Sequence, residues 1–196
     1  SPDDWDEATG IGLSVGANQR LTDRLRIGVA YVSEQFMEEY GDYGGLFADS
    51  LNLPQQLTAG FAYEIRPGLE VALDYRWIGW GQLDVFGDQF GWEDQHIAKA
   101  GATWEATDRL TLRAGVSHGN SPIGREDVFA NALFPAIMET HLTAGASYRF
   151  DRIALHFAYI HALEEELEAS GPPEAGGGTV VSMVQNSATL GASWSF

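Results

Sequence analysis

Between Arg109 and Phe150 the chain alternates so regularly that few folds can accommodate it. Leu110, Leu112, Ala114 and Val116 fall on one face of an extended segment, and Thr111, Arg113, Gly115 and Ser117 on the other. After a long acidic excursion the pattern resumes. Leu142, Ala144, Ala146, Tyr148 and Phe150 share one face, opposed by Thr143, Gly145, Ser147 and Arg149. A period of two marks a β-strand, because successive side chains point to opposite faces. One face is apolar and ends in aromatic rings; the other is small or charged. That division suits a wall with lipid outside and a polar or narrow interior.

The same pattern predicts strands over most of the chain. The first runs from Thr9 to Gln19 with Ile11, Leu13, Val15 and Ala17 on its apolar face. The second runs from Arg24 to Gln35 with Leu25, Ile27, Val29 and Tyr31. The third, Leu53 to Ile65, carries Leu57, Ala59, Phe61 and Tyr63. The fourth, Leu69 to Gly79, carries Leu69, Val71, Leu73, Tyr75 and Trp77. The fifth, Asp94 to Glu105, has ambiguous parity, since Ile97 and Trp104 fall on opposite faces; we place Trp104 outward and Lys99 inward. The eighth, Ile153 to Ala162, alternates Ile153, Leu155, Phe157 and Tyr159, and the ninth closes the chain with Leu190, Ala192, Trp194 and Phe196.

Short turns alternate with long loops along the whole length. The short turns fall at Thr22-Asp23, Arg66-Pro67-Gly68, Ala106-Thr107-Asp108 and Phe150-Asp151-Arg152. The long segments are Phe36–Asn52, Trp80–Glu93, the excursion after Ser117, and Leu163–Gly178. This is an up-and-down meander. Thr22-Asp23-Arg24-Leu25 recurs as Thr107-Asp108-Arg109-Leu110, which reads as one hairpin solution used twice rather than a repeat architecture.

Charge sorts by loop type. Of 28 acidic residues, 17 fall in the four long loops or, for Glu34 and Asp94, at the strand ends beside them, with only Arg125 as a basic companion, and four more (Asp3, Asp4, Asp6, Glu7) fall in an acidic lead-in, residues 1–8. Strands and short turns keep seven acidic and ten basic residues. One rim is therefore strongly acidic. In outer-membrane barrels the long loops face outward, so the acidic rim reads either as plainly solvated loops or as a surface that divalent cations bridge to anionic lipid headgroups and lipopolysaccharide. The aromatic residues sort as well. Tyr31, Tyr75, Trp77 and Tyr159 approach the long-loop ends of their strands, and Tyr63, Trp104, Tyr148, Phe150, Trp194 and Phe196 the short-turn ends. Two aromatic belts are what the two bilayer interfaces select. A soluble barrel would bury its apolar face inside.

A net charge of -17 excludes nucleic acid as a natural partner, and the absence of cysteine excludes disulfides and thiolate metal sites. No apolar run is long enough for a membrane-spanning helix. Gly12-Leu-Ser-Val-Gly16 matches the nucleophile-elbow pattern, but Ser14 sits inside an alternating strand where that elbow needs a strand-to-helix turn. His96, His118, His141, His156 and His161 show no paired-ligand spacing. No catalytic residue, metal site or cofactor is expected.

Local features carry a resemblance. Thr111-Leu-Arg-Ala-Gly115 leads to Asn120-Ser-Pro-Ile123, and Phe134-Pro135 precedes Leu142-Thr-Ala-Gly-Ala-Ser-Tyr148. Phe90-Gly-Trp-Glu-Asp94 and Leu53-Pro54 each open a strand, and the chain closes as Leu190-Gly-Ala-Ser-Trp-Ser-Phe196. In order and spacing the chain resembles the C-terminal part of the outer-membrane long-chain fatty acid and hydrocarbon transporters (FadL/OmpP1/TodX). The resemblance implies location in the outer membrane of a Gram-negative cell and uptake of hydrophobic small molecules. The family's N-terminal hatch and first strands have no counterpart here, and nine strands is an odd number where bacterial barrels use even ones. The expectation is therefore one all-β, antiparallel transmembrane barrel domain over residues 1–196, either part of a larger barrel closed by further strands, a wall closed by other chains, or a divergent small barrel.

Parity places Arg26, Glu64, Glu70, Asp74, Arg76, Lys99, Arg113 and Arg149 inside. Cross-strand pairing is one use for them. The other is ligand recognition: Arg76 or Arg113 meets a ligand carboxylate while Phe129, Leu133, Phe134, Ile137 and Met138, the apolar patch of an acidic loop set, hold its tail. A surface barrel without transport and a membrane-barrel hydrolase are the alternatives.

Overall fold

The computed structural model describes residues 8–38 and 50–195. The acidic lead-in through Glu7, the loop acids Glu39, Asp42 and Asp49, and Phe196 lie outside the described residues. Among the described residues eleven strands follow in order: β1 (Gly10–Ile11), β2 (Ser14–Arg20), β3 (Leu25–Val32), β4 (Phe36–Met37), β5 (Gln56–Arg66), β6 (Leu69–Ile78), β7 (Gln95–Glu105), β8 (Leu110–Gly119), β9 (Thr140–Phe150), β10 (Ile153–Glu168) and β11 (Val180–Trp194). Nine of them form one antiparallel sheet in chain order, with β2 and β11 as its edges. The small pair β1–β4 prolongs the first hairpin, and the Ser33 N–H donates to Leu13 O at 2.8 Å across the gap.

Local chemistry fixes the turns. In the β2–β3 turn Thr22 Oγ1 accepts from the N–H of Leu25 at 3.0 Å and of Arg24 at 3.2 Å. Thr107 repeats both bonds in the β7–β8 turn, to Leu110 at 3.0 Å and Arg109 at 3.2 Å. The sequence echo is thus one threonine-capped turn built twice. Gly68 takes φ 79° between β5 and β6, and Asp151 takes φ 45° between β9 and β10.

Register shows which side chains share a face. Val29, Ala59 and Tyr75 align in neighbouring strands, as do Leu110 and Tyr148, and Ile153 and Trp194. The ambiguous fifth strand resolves with Trp104 opposite Leu69 and Leu112, outward, and Lys99 opposite Asp74 and Ser117, inward. The outward face is apolar and uncovered: Phe61, Leu73, Leu142, Phe157 and Leu190 are all exposed. The inward face carries small and polar residues, for example Gly60, Asp74, Lys99, Ser117 and His141 along one row. Such an arrangement is stable only when hydrocarbon rather than water bathes the outer face.

The buried core lies outside the sheet. Ile123, Val128, Ile137 and Ala169 form it, with Trp92, Ala136, Leu167, Val181 and Met183 packed against them. These residues belong to the long loops and to the outer extension of the β10–β11 hairpin. This corrects one expectation. The segment Leu163–Gly178 is not all loop: β10 runs on to Glu168, through a register shift between Ala162 and Glu165, with Glu165 opposite Met183 and Glu168 opposite Val180. Pairing continues there because the inner side of the hairpin, Leu167, Val181 and Met183, has an apolar loop to pack against. The third strand also starts later than expected, at Gln56; Leu53 keeps a single bridge to Gln35.

Candidate functional site

The chain leaves β6 through a short 3-10 turn at Trp80–Gln82 and a π-helical turn at Asp84–Gln89. π-helical turns are rare and concentrate at functional sites. Trp80, Phe86 and Trp92 converge into a three-ring cluster, with centroids 4.8 Å apart for Trp80–Trp92 and 5.1 Å for the other two pairs. The indole N–H groups are satisfied by side chains: Trp77 donates to Asp94 at 3.0 Å, Trp80 to Gln95 at 3.0 Å and Trp92 to Asn131 at 2.6 Å. Gly87 allows the tight path, since a β-carbon there would come within 2.7 Å of Gly81 O.

The β8–β9 loop docks on this segment. Glu93 N–H donates to Pro122 O at 2.7 Å, and Trp92 bridges Ile123. Asn131, 2% exposed, donates to Phe90 O at 2.8 Å and Asp127 O at 2.9 Å while accepting from Trp92. The Asp127 carboxyl lies against Gly91. Burial, with Glu126 and Glu93 nearby, pushes its pKa above the ordinary aspartate range. Between the loops lies a cavity of about 210 Å³ bounded by Leu51, Val85, Phe86, Phe90, Trp92 and Phe134, with Asn131 beside them. Its wall is almost wholly apolar, which suits a hydrophobic occupant.

The structure separates the residues singled out from the sequence. Phe134 lines this cavity. Phe129 lies against Gly176 of the β10–β11 loop, and Leu133 is 86% exposed. Ile137 is spent in the loop core, and Met138 beside it is half-buried. Arg76 lies near the outer end of β6, where its Nε donates to Thr58 Oγ1 at 3.2 Å. Arg113 lies near the inner end of β8; its Nη1 donates to Ser147 Oγ at 2.8 Å. Six residues separate Arg113 from the outer end of β8, roughly 20 Å along the strand. Arg113 and the loop patch are therefore not one pocket.

The inner wall is a polar groove. Arg26 Nη2 and Glu70 Oε2 form an ion pair at 2.5 Å. Asp74 stands opposite Lys99, and both face an open groove of about 550 Å³ that Arg113 also borders. His156 bridges Ser147 at 2.9 Å and Ser193 at 3.0 Å, so that Arg113, Ser147, His156 and Ser193 form a chain across four strands. Sequence reasoning missed Val85, Phe86, Phe90 and Trp92 as pocket residues. The available signal was the density of aromatic rings between Trp80 and Trp92 in an otherwise acidic, glycine-containing loop.

An antiparallel meander with a lipid-facing apolar surface, a polar inner wall, and long loops packed over one end defines the chain as the wall of a transmembrane β-barrel. It belongs to the outer membrane protein transport protein family (OMPP1/FadL/TodX), whose model matches residues 3–194, and it resides in the outer membrane. The "47 kDa outer membrane protein" of Pasteurella multocida is 23% identical over 201 residues, covering 84% of this chain and 46% of the relative. "Outer membrane protein P1" of Haemophilus influenzae is 23% identical over 181 residues, covering 78% and 38%. Among solved structures, the Pseudomonas putida toluene transporter TodX aligns with a TM-score of 0.58 at 20% identity, covering 94% of this chain and 48% of that one. A Pseudomonas aeruginosa FadL homologue aligns with a TM-score of 0.65 at 17% identity, covering 92% and 50%. The chain spans less than half the length of these curated relatives.

Proposed function

We propose that this chain is one side of an outer-membrane channel that passes hydrophobic small molecules, such as long-chain fatty acids or hydrocarbons, and that it performs no catalytic step. The observation that carries this reading is the cavity of about 210 Å³ at the outer end of the wall, walled by Val85, Phe86, Phe90, Trp92 and Phe134. An apolar pocket held open by a hydrogen-bonded loop frame takes up a hydrophobic ligand from the outer surface. The inner wall then offers Arg76 in its outer part and Arg113 deeper in, and a ligand that carries a carboxylate meets them in that order. Phe129, Leu133 and Met138 of the same loop, which do not line the cavity, would serve as further apolar contacts outside it. The edges β2 and β11 are paired by further strands, because unpaired backbone groups facing lipid cost several kcal/mol each.

The test is uptake of toluene and of a long-chain fatty acid by cells expressing the protein, alongside quenching of tryptophan fluorescence in the purified barrel. Phe86→Ala with Phe134→Ala is expected to lower both. Uptake no greater than in cells lacking the protein would instead identify a surface barrel without transport.

A further inference from the structure

Three histidines occupy the outward face at one level. His96 lies nine residues from the inner end of β7, His118 eight from the inner end of β8, and His161 eight from the inner end of β10. A tilted transmembrane strand crosses the hydrocarbon layer in about 9–11 residues, so all three stand at the outer interface. Register agrees on the face: His96 pairs with Trp77, His118 with Ala98 and Thr140, and His161 with Leu142 and Asn186.

Each imidazole is held by the same atom. Nδ1 of His96 meets Tyr75 Oη at 2.6 Å, that of His118 meets Thr140 Oγ1 at 2.9 Å, and that of His161 meets Asn186 Oδ1 at 2.9 Å. In every case the partner is on an adjacent strand, and Nε2 has no hydrogen bond among the described residues. The inward His156 differs, with both nitrogens bonded. The outward belt therefore presents three ring edges to the lipid.

No lysine or arginine shares this level of the outward face. Arg24, Arg66, Arg109 and Arg152 lie at the short turns, Arg20, Arg26, Arg76, Lys99, Arg113 and Arg149 face inward, and Arg125 lies in the outer loop beside Glu168. The imidazoles are the groups there that can carry positive charge. The charged groups next to them are acidic: Asp94 just before β7, Glu139 just before β9, and Glu164 and Glu166 farther out on β10. Three of these acids are engaged, Asp94 by the Trp77 indole, Glu139 by the Ser121 N–H and Glu164 by the Ser182 hydroxyl. Tyr75 and Tyr159 supply the remaining titratable side chains.

We propose that His96, His118 and His161 form a belt that binds the phosphate groups of outer-leaflet lipids through Nε2. At His96 and His118, where Nδ1 meets a hydroxyl that can donate to it, a neutral imidazole can donate its N–H from Nε2. At His161, whose Nδ1–H donates to Asn186 Oδ1, Nε2 donates only in the imidazolium. Protonation adds charge to the bond at all three, so the interaction strengthens on acidification. Metal chelation is not the alternative. Among the described residues no three histidines or carboxylates are placed to hold one ion.

The experiment is native mass spectrometry of the barrel with diphosphorylated lipid A, at pH 8 and pH 5.5. The expected result is more lipid adducts at the lower pH, and about a tenfold loss of adducts at pH 5.5 in His96→Gln/His118→Gln/His161→Gln, from removing charge-assisted bonds. His156→Gln is expected to leave the adducts unchanged, and dephosphorylated lipid A to bind wild type and triple variant alike. Should the triple variant fail to fold, the single variants answer the same question, each losing part of the pH response. Equal adducts and equal pH response in wild type and variants would overturn the proposal, as would pH-dependent binding of the dephosphorylated lipid.

Discussion

Trp92 donates its indole N–H to Asn131 Oδ1 at 2.6 Å, tying together two outer loops from residues 39 apart in sequence. Asn131 also donates to two backbone carbonyls, so one buried amide satisfies three partners. Replacing it with leucine orphans the indole N–H and the Phe90 carbonyl, while the Asp127 carbonyl keeps the backbone N–H of position 131 at 3.1 Å. An unsatisfied buried group costs about 1–3 kcal/mol, which predicts loosening of the outer loops with the sheet intact. Limited proteolysis should cut Asn131→Leu within residues 120–139 while the strand core stays protected.

Asp127 predicts a pH dependence. Its pKa is raised chiefly by burial, then by Glu126 and Glu93, so its negative charge opposes loop packing. The penalty is full above the raised pKa, diminishes as pH falls through it, and vanishes below the unfolded value, where both states are protonated. Asp127→Asn is therefore expected to stabilise the loops at pH 7, with an advantage that disappears in acid. Thermal unfolding followed by tryptophan fluorescence from pH 3 to pH 8 checks it; an advantage that grew on acidification would refute the assignment.

The β9–β10 turn rests on Asp151 at φ 45°, a conformation that aspartate and asparagine tolerate and β-branched residues do not. Asp151→Asn should be neutral, and Asp151→Val should cost about 1–2 kcal/mol. Urea unfolding of the refolded barrel separates the two.

Gly60 faces inward opposite Asp74. A β-carbon there would run into the Asp74 carboxylate and approach Leu73 O at 2.8 Å. Gly60→Ala is expected to displace Asp74 and destabilise the wall by about 1–3 kcal/mol, as overpacking does. The urea midpoint reads the loss. Adding Asp74→Gly should recover part of it, leaving the approach to Leu73 O.

Much of the wall was legible because its information is local. Alternation placed Val71, Leu73 and Tyr75 outward and Asp74 and Arg76 inward without knowledge of any partner strand, and register agrees. The repeated Thr-Asp-Arg-Leu turn was legible for the same reason, since its hydrogen bonds span two or three residues. The ambiguous strand needed one further fact, the aromatic Trp104 at its inner end. Loop chemistry was less legible. Ile137 and Phe134 look equivalent in sequence, yet Ile137 is buried with Ile123, Val128 and Ala169 whereas Phe134 borders the cavity.

The sequence by itself determined the strands, the short turns, the face that meets lipid and the charges that line the interior, because a two-residue period and a capped turn are decided by near neighbours. Only the tertiary structure decided the pocket, the extension of β10 beyond Ala162, and the separation of Arg113 from the loop patch. Those depend on contacts between segments tens of residues apart, such as Trp92 with Asn131 and Ile123 with Ala169. Loops have no period to carry such information, and their arrangement is set when apolar side chains and buried polar groups find partners across the mouth of the wall.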